Sequence, residues 1–197
     1  MSRSLIVVDV QNDFCEGDSV PVTGGAQIAT AIAGLVEQTT GSDCQYIVAT
    51  RDHHIDPGSH FSDSPDLKNS SPVHCVAGYE GGEFHPTSHS PPPAERSTPS
   101  SSRAPTAPPR AASKAPTNTA HPWWTGCVAR GVEDVDVVGI ATDHCVRATA
   151  LDAVKAGFRG RVLLDYSVGV APDTTASALD DFRQAGVAVS RQTPAVS

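Results

Sequence analysis

A chain of 197 residues can bury one hydrophobic core without disulfides or partner chains, and it reads as a single domain spanning 1–197. The formal net charge of −8 argues against nucleic acid or an anionic membrane surface as the main partner, because both demand basic patches. The five cysteines, Cys15, Cys44, Cys75, Cys127 and Cys145, are scattered and show no zinc-type pairing, which is the pattern of reduced thiols in a cytoplasmic protein.

The run Ser4–Val10 is β-branched with Asp9 near its end, as expected of a buried parallel strand. Its apolar part is too short for a signal-peptide core, and no run approaches membrane-spanning length. After Gly24-Gly25, the residues Ile28, Ile32, Leu35 and Val36 fall at helical spacing, closed by Gly41. Tyr46–Thr50 predicts a second strand, followed by a polar loop from Asp52 to His60. Val135–Ile140 is a further strand that runs into Ala141-Thr-Asp-His-Cys145. Val146, Ala150, Ala153 and Val154 then share one helical face, with Gly157 as the C-terminal stop. Arg161–Asp165 is a strand, Asp173 is expected to cap a helix turning Leu179, Phe182 and Ala185 inward, and Val187–Val189 ends the sheet. Alternating strands and helices imply a parallel sheet covered on both faces, with its site beyond the carboxyl ends of the strands. Asp9, Asp52 and Cys145 all lie at or just after such ends.

Cys145 stands where a strand turns into a helix, a position that lowers a thiol pKa and offers N–H groups to an oxyanion. On placement alone it is equally an inert core cysteine. Asp9 among apolar neighbours suits proton transfer or, as readily, turn capping. The loop Asp52-His53-His54-Ile-Asp-Pro57-Gly58-Ser-His60 groups a carboxylate with imidazoles, and Pro57-Gly58 folds it so that His60 can meet His54. With His74 this set suits one divalent transition metal, zinc, iron or manganese, and spacing does not decide between His53 and His54.

Four ordered motifs, Asp9-Val-Gln-Asn-Asp-Phe14, Asp52-x-His54-x5-His60, Pro72-Val-His-Cys75 and Gly139-Ile-Ala-Thr-Asp-His-Cys-Val146, resemble the nicotinamidase/pyrazinamidase branch of the isochorismatase-like cysteine hydrolases. The resemblance covers about residues 4–87 and 130–190. It implies a three-layer α/β/α domain with an Asp–Lys–Cys triad, hydrolysing nicotinamide or pyrazinamide to the acid and ammonia in NAD salvage. By resemblance Asp9 and Cys145 are triad members, Asp52, His54, His60 and His74 hold the metal, and Phe14 lines the ring pocket. A cis Ile140–Ala141 bond would aim the N–H groups of Ala141 and Cys145 at the oxyanion.

The chain departs from the family in two places. Ser71 stands where the family carries a ring-stacking Trp. More seriously, Ser88–Ala129 shows nothing like the family's lysine strand, and from Ser88 to Thr119 it is mostly Pro, Ser, Ala, Thr and Arg. Arg103 lies 42 residues before Cys145, where the lysine usually lies, and Lys114 has the wrong context. A compensated frameshift explains this: back-translating Ser100–Pro109 one base earlier permits F-F-K-G-A-Y-S-A-A, and Ala115–Cys127 likewise permits a family-like loop and helix. A true Pro/Ser-rich insertion is the alternative. On either reading one strand and one helix are disrupted, 88–129 is irregular, and catalysis is expected to be impaired. Two other functions stay open: hydrolysis of another small amide, and a metal-binding remnant without catalysis.

Overall fold

The computed structural model describes residues 2–39, 44–55, 58–65, 70–88, 101–103 and 123–191. Six strands form one parallel sheet: β1 (Arg3–Val8), β2 (Cys44–Asp52), β3 (Ser101–Arg103), β4 (Asp134–Ile140), β5 (Arg159–Val168) and β6 (Ala188–Ser190), in the order β3-β2-β1-β4-β5-β6. The helices are α1 (Gly25–Thr39), α2 (Trp124–Ala129), α3 (Arg147–Lys155) and α4 (Pro172–Ala185).

Side-chain alternation along the strands divides the core into two layers. Ile6, Val8, Val135 and Val137 pack with Cys127 of α2, Ala150 and Ala153 of α3, and Ala178 and Phe182 of α4. Leu5, Val7 and Val138 face the other way, toward Ala29, Ile32 and Leu35 of α1. The result is the α/β/α sandwich expected from the alternating pattern.

Several boundaries move. β1 stops at Val8 because Asp9 has a left-handed backbone, with φ 49°. β5 runs longer than Arg161–Asp165: its ladder to β4 passes from Val137↔Val162 to Gly139↔Ser167, and this irregularity carries Ser167 to the carboxyl end of the sheet. α4 is not capped by Asp173. It starts at Pro172, whose fixed φ suits the first helical position, and Ala185 is exposed while Ala178 takes the inward place. Gly157 follows the C-cap Ala156 of α3 in the expected left-handed conformation. The helix stop at Gly41 lies outside the described residues.

Among the described residues between 89 and 129, two stretches take regular structure. Ser101–Arg103 adds to the sheet edge, with Arg103 in register opposite Asp52. Trp124–Ala129 is helical because this is where apolar bulk returns: Cys127 is buried, and both Trp123 and Trp124 pack on the core. Lys114, and with it most of the anomalous segment, lies outside the described residues.

Candidate active site and metal centre

Three strand ends meet at the carboxyl end of the sheet, since Val8 of β1 pairs with Thr50 of β2 on one side and Gly139 of β4 on the other. Gly139 is required there, because a Cβ would sit 2.1 Å from the Val8 carbonyl oxygen. The close approach sets Asp9 beside the segment that leads into Cys145. Asp9 is fully buried, its N–H donates to the Thr50 carbonyl at 3.1 Å, and the Thr50 hydroxyl donates to Asp9 Oδ1 at 2.8 Å.

Beyond β4 the Ile140–Ala141 peptide is cis, as the motif implied. Thr142–Val146 then forms a π-helical turn in which the Ala141 carbonyl accepts N–H bonds from His144 (3.0 Å) and Val146 (3.1 Å). Two braces hold this turn. Thr142 Oγ1 lies 2.6 Å from Ser167 Oγ, the residue delivered by the irregular β5 ladder. The Asp143 carboxylate accepts N–H bonds from Val170 (3.0 Å) and Ala171 (3.2 Å) and the Thr174 hydroxyl at the start of α4. Burial works against the charge of Asp143, but these donors outweigh it and hold the carboxyl below its usual range.

The thiols differ in accessibility. Burial, reinforced by Glu16 and Asp18, pushes Cys15 up to about 11; burial with Asp52, Asp13 and Asp9 pushes Cys75 far up, and burial also raises Cys127. All three are buried, whereas Cys145 is half-buried on its turn. Cys145 also packs against the core beside Val146, but it is the least buried of these four thiols.

The imidazoles gather past β2. His54, His60 and His74 each offer a nitrogen, and these atoms all lie within 4.8 Å of one another. Asp52 Oδ2 lies 2.9 Å from His54 Nε2 and 3.2 Å from His74 Nε2. His54, rather than His53, is the one in the cluster. Backbone bonds from His54 N–H to the Cys75 carbonyl and from Ala77 N–H to the His54 carbonyl, both 2.9 Å, tie the two histidine segments together. Burial disfavours the Asp52 charge, yet the two imidazoles beside it hold the carboxyl well below the usual range. For His74, burial works against protonation, but Asp52 and the Pro72 carbonyl outweigh it and raise the imidazole above its ordinary value.

The donor set fits a cation. A carbonyl oxygen only accepts, so at 2.7 Å from the Pro72 carbonyl His74 Nδ1 carries the proton. A neutral His74 then turns the Nε2 lone pair toward the Asp52 carboxylate, and that arrangement calls for a proton or a metal ion between them.

Phe14 stands 5.7 Å from His74, centroid to centroid. Ser71 is tied to the metal loop through its N–H to the His60 carbonyl (2.8 Å). Sequence reasoning missed Phe61, whose ring lies 5.0 Å from His54 and 5.2 Å from His74, as well as Gln11, Asp13, Thr50 and Asp143.

A parallel α/β/α sheet with a half-buried thiol on a strand-to-helix turn, a buried carboxylate at the neighbouring strand end and an imidazole cluster past the end of β2 is the arrangement of an isochorismatase-like hydrolase. Residues 125–193 match the isochorismatase domain model. The chain is 47% identical over 196 residues to the nicotinamidase/pyrazinamidase of Mycobacterium tuberculosis, covering 94% of this chain and 96% of that protein. It is 33% identical to the nicotinamidase of Acinetobacter baylyi over 82% of this chain and 79% of that one. The zinc complex of Pyrococcus horikoshii pyrazinamidase superposes with a TM-score of 0.71 at 29% identity, over 98% of this chain and 100% of that one. The chain belongs to the nicotinamidase/pyrazinamidase family. Among the described residues no helix is long and apolar enough to cross a membrane.

Proposed function

We propose that the protein is a metal-dependent nicotinamidase acting in NAD salvage, which hydrolyses nicotinamide, and pyrazinamide, to the carboxylic acid and ammonia. The observation that carries this reading is the convergence, at one end of one sheet, of Asp9 after β1, the His54–His60–His74 cluster after β2 and Cys145 after β4.

Asp9, buried and oriented by Thr50, takes the Cys145 thiol proton. The Cys145 sulfur attacks the carboxamide carbon, and the tetrahedral oxyanion faces the N–H groups of Ala141 and Cys145. Asp9 returns the proton to the leaving ammonia. Water then attacks the thioester carbon, releasing the carboxylate and the thiol. Asp52, His54, His60 and His74 would hold one divalent ion, zinc, iron or manganese, and Phe14, 5.7 Å from His74, would line the ring pocket. A bound ion would supply an electrophilic anchor for the pyridine nitrogen, leaving the carboxamide facing the thiol. The scattered cysteines support a cytoplasmic setting.

Arg103 occupies the position of the family's lysine by spacing, and its backbone ends β3 opposite Asp52. A guanidinium fork is a poor substitute for a compact ammonium beside a thiolate, so turnover by the chain as written is expected to be low. The test is nicotinate formation from nicotinamide by metal-loaded protein, before and after chelation. Loss on chelation and return on adding metal is the expected result; formation indifferent to chelation refutes the metal's role.

A further inference from the structure

Between Asp9 and Phe14 lie two buried polar residues that the catalytic sequence above does not use. Gln11 is 0% exposed, and its amide saturates its own donors. Its Oε1 accepts the N–H of Asp52 at 2.7 Å, and its Nε2 donates to the Asp52 carbonyl at 2.9 Å and to the Gly82 carbonyl at 2.7 Å. The side chain thus pairs with both backbone polar groups of Asp52 as a neighbouring strand would, at the point where β2 runs out. Fixing both fixes the direction of the Asp52 side chain, whose Oδ2 faces His54 and His74.

Asp13, 4% exposed, does the corresponding work on the other histidine segment. Its Oδ2 accepts the N–H of Cys75 at 2.5 Å, directly after His74, where Cys75 is held left-handed at φ 48°. A left-handed non-glycine residue is sparsely populated, so an outside contact that fixes it also fixes the exit of the chain from His74. Room for this carboxylate is made by Gly81: a Cβ there would lie 2.2 Å from Asp13 Oδ1. Asn12 closes the set, with its side-chain amide donating to the Glu80 carbonyl at 2.7 Å.

We propose that Gln11 and Asp13 are positioning residues for the metal centre, Gln11 aiming Asp52 and Asp13 aiming His74, so that one short segment after β1 sets both the catalytic Asp9 and the metal geometry. The inference rests on the assignment of Asp52, His54, His60 and His74 as ligands. Outer-shell partners of this kind hold the directions of ligand atoms, and their loss weakens metal affinity about 10- to 100-fold.

The experiment measures Co2+ affinity of the full chain by chelator competition, together with the visible d–d spectrum, and needs no turnover. Gln11→Leu and Asp13→Ala should each weaken Co2+ binding about 10- to 100-fold and alter the spectrum. Val162→Ala, a core truncation in β5 away from the site, serves as a destabilised control and should leave both unchanged. If Gln11→Leu does not fold, Gln11→Glu carries the test, since it keeps the acceptor for Asp52 N–H and loses both donors. Wild-type affinity and spectrum in the Gln11 and Asp13 variants, with binding lost in His54→Ala, overturn the inference and leave the ligand assignment standing. Equal weakening by Val162→Ala overturns it as well. Absence of Co2+ binding by the wild type overturns the ligand assignment and the inference together.

Discussion

Removing the Asp143 carboxylate tests whether the turn carrying Cys145 is held by α4. The carboxylate accepts two backbone N–H bonds, from Val170 and Ala171, and the Thr174 hydroxyl. Hydrogen bonds to a charged group contribute about 1.5–3 kcal/mol each, and partners left without one add a desolvation cost. Water replaces part of this at the half-exposed start of α4, so Asp143→Ala should cost about 3–5 kcal/mol. For a chain of this size each kcal/mol moves the melting point by about 2–4 °C, giving a fall of roughly 6–20 °C. Asp143→Asn keeps one acceptor oxygen and should lose about half as much. Because the native carboxyl titrates below the unfolded one, its contribution is fully present above about pH 4 and fades as the pH falls through the native value. The gap between wild type and Asp143→Asn should therefore close in acid. Thermal melts across pH read the stability, and mass-resolved alkylation by iodoacetamide reads the reactivity of Cys145. A melting point within about 2 °C of wild type, with Cys145 alkylated at the same rate, would refute the bracing role.

In the wild type, iodoacetamide should modify Cys145 ahead of Cys15, Cys75 and Cys127, whose burial keeps them as thiols; peptide mapping that finds equal labelling contradicts the assignment. Gly139→Ala should abolish folding, since its Cβ would overlap the Val8 backbone, and soluble protein with a native melt speaks against the tight β1–β4 approach. Thr142→Val leaves the buried Ser167 hydroxyl unpaired and should cost about 1–3 kcal/mol, measured by denaturant unfolding. Restoring the alternative register between about Ser90 and Ala129 should supply a lysine at position 103 and raise both cooperativity of melting and turnover. Equal turnover in the restored and original chains sinks the frameshift explanation and the lysine's role with it.

The sheet was legible because its strands announce themselves: Leu5–Val8 is a continuous apolar run and Val135–Ile140 one broken only by Asp136 and Gly139, the pattern that a sheet covered on both faces buries. The residues proposed for catalysis and metal binding stood out as motifs, since Asp9, Asp52 and Cys145 sit at strand ends where the topology must gather them. Spacing could not choose between His53 and His54, because that depends on which way the chain turns after Asp52, and the turn is set by a backbone bond to Cys75, 21 positions further on (54 to 75). The start of α4 was misread for a similar reason. Asp143, a side chain distant in sequence, holds the amides of Val170 and Ala171 just before the helix, and α4 itself starts at Pro172 with no side-chain cap, so a local search for a cap settled on Asp173. Gln11 and Asp13 were passed over because their partners, the backbones of Asp52, Gly82 and Cys75, have no signature in residue type.

Ammonia and nicotinate release from nicotinamide by metal-loaded protein, compared among the chain as written, the register-restored chain and its Cys145→Ser variant, tests the central claim most directly. The account predicts equimolar ammonia and nicotinate from the restored chain, less from the chain as written, and none above background once Cys145 is serine. No release by the restored chain, or release that survives Cys145→Ser, would contradict it.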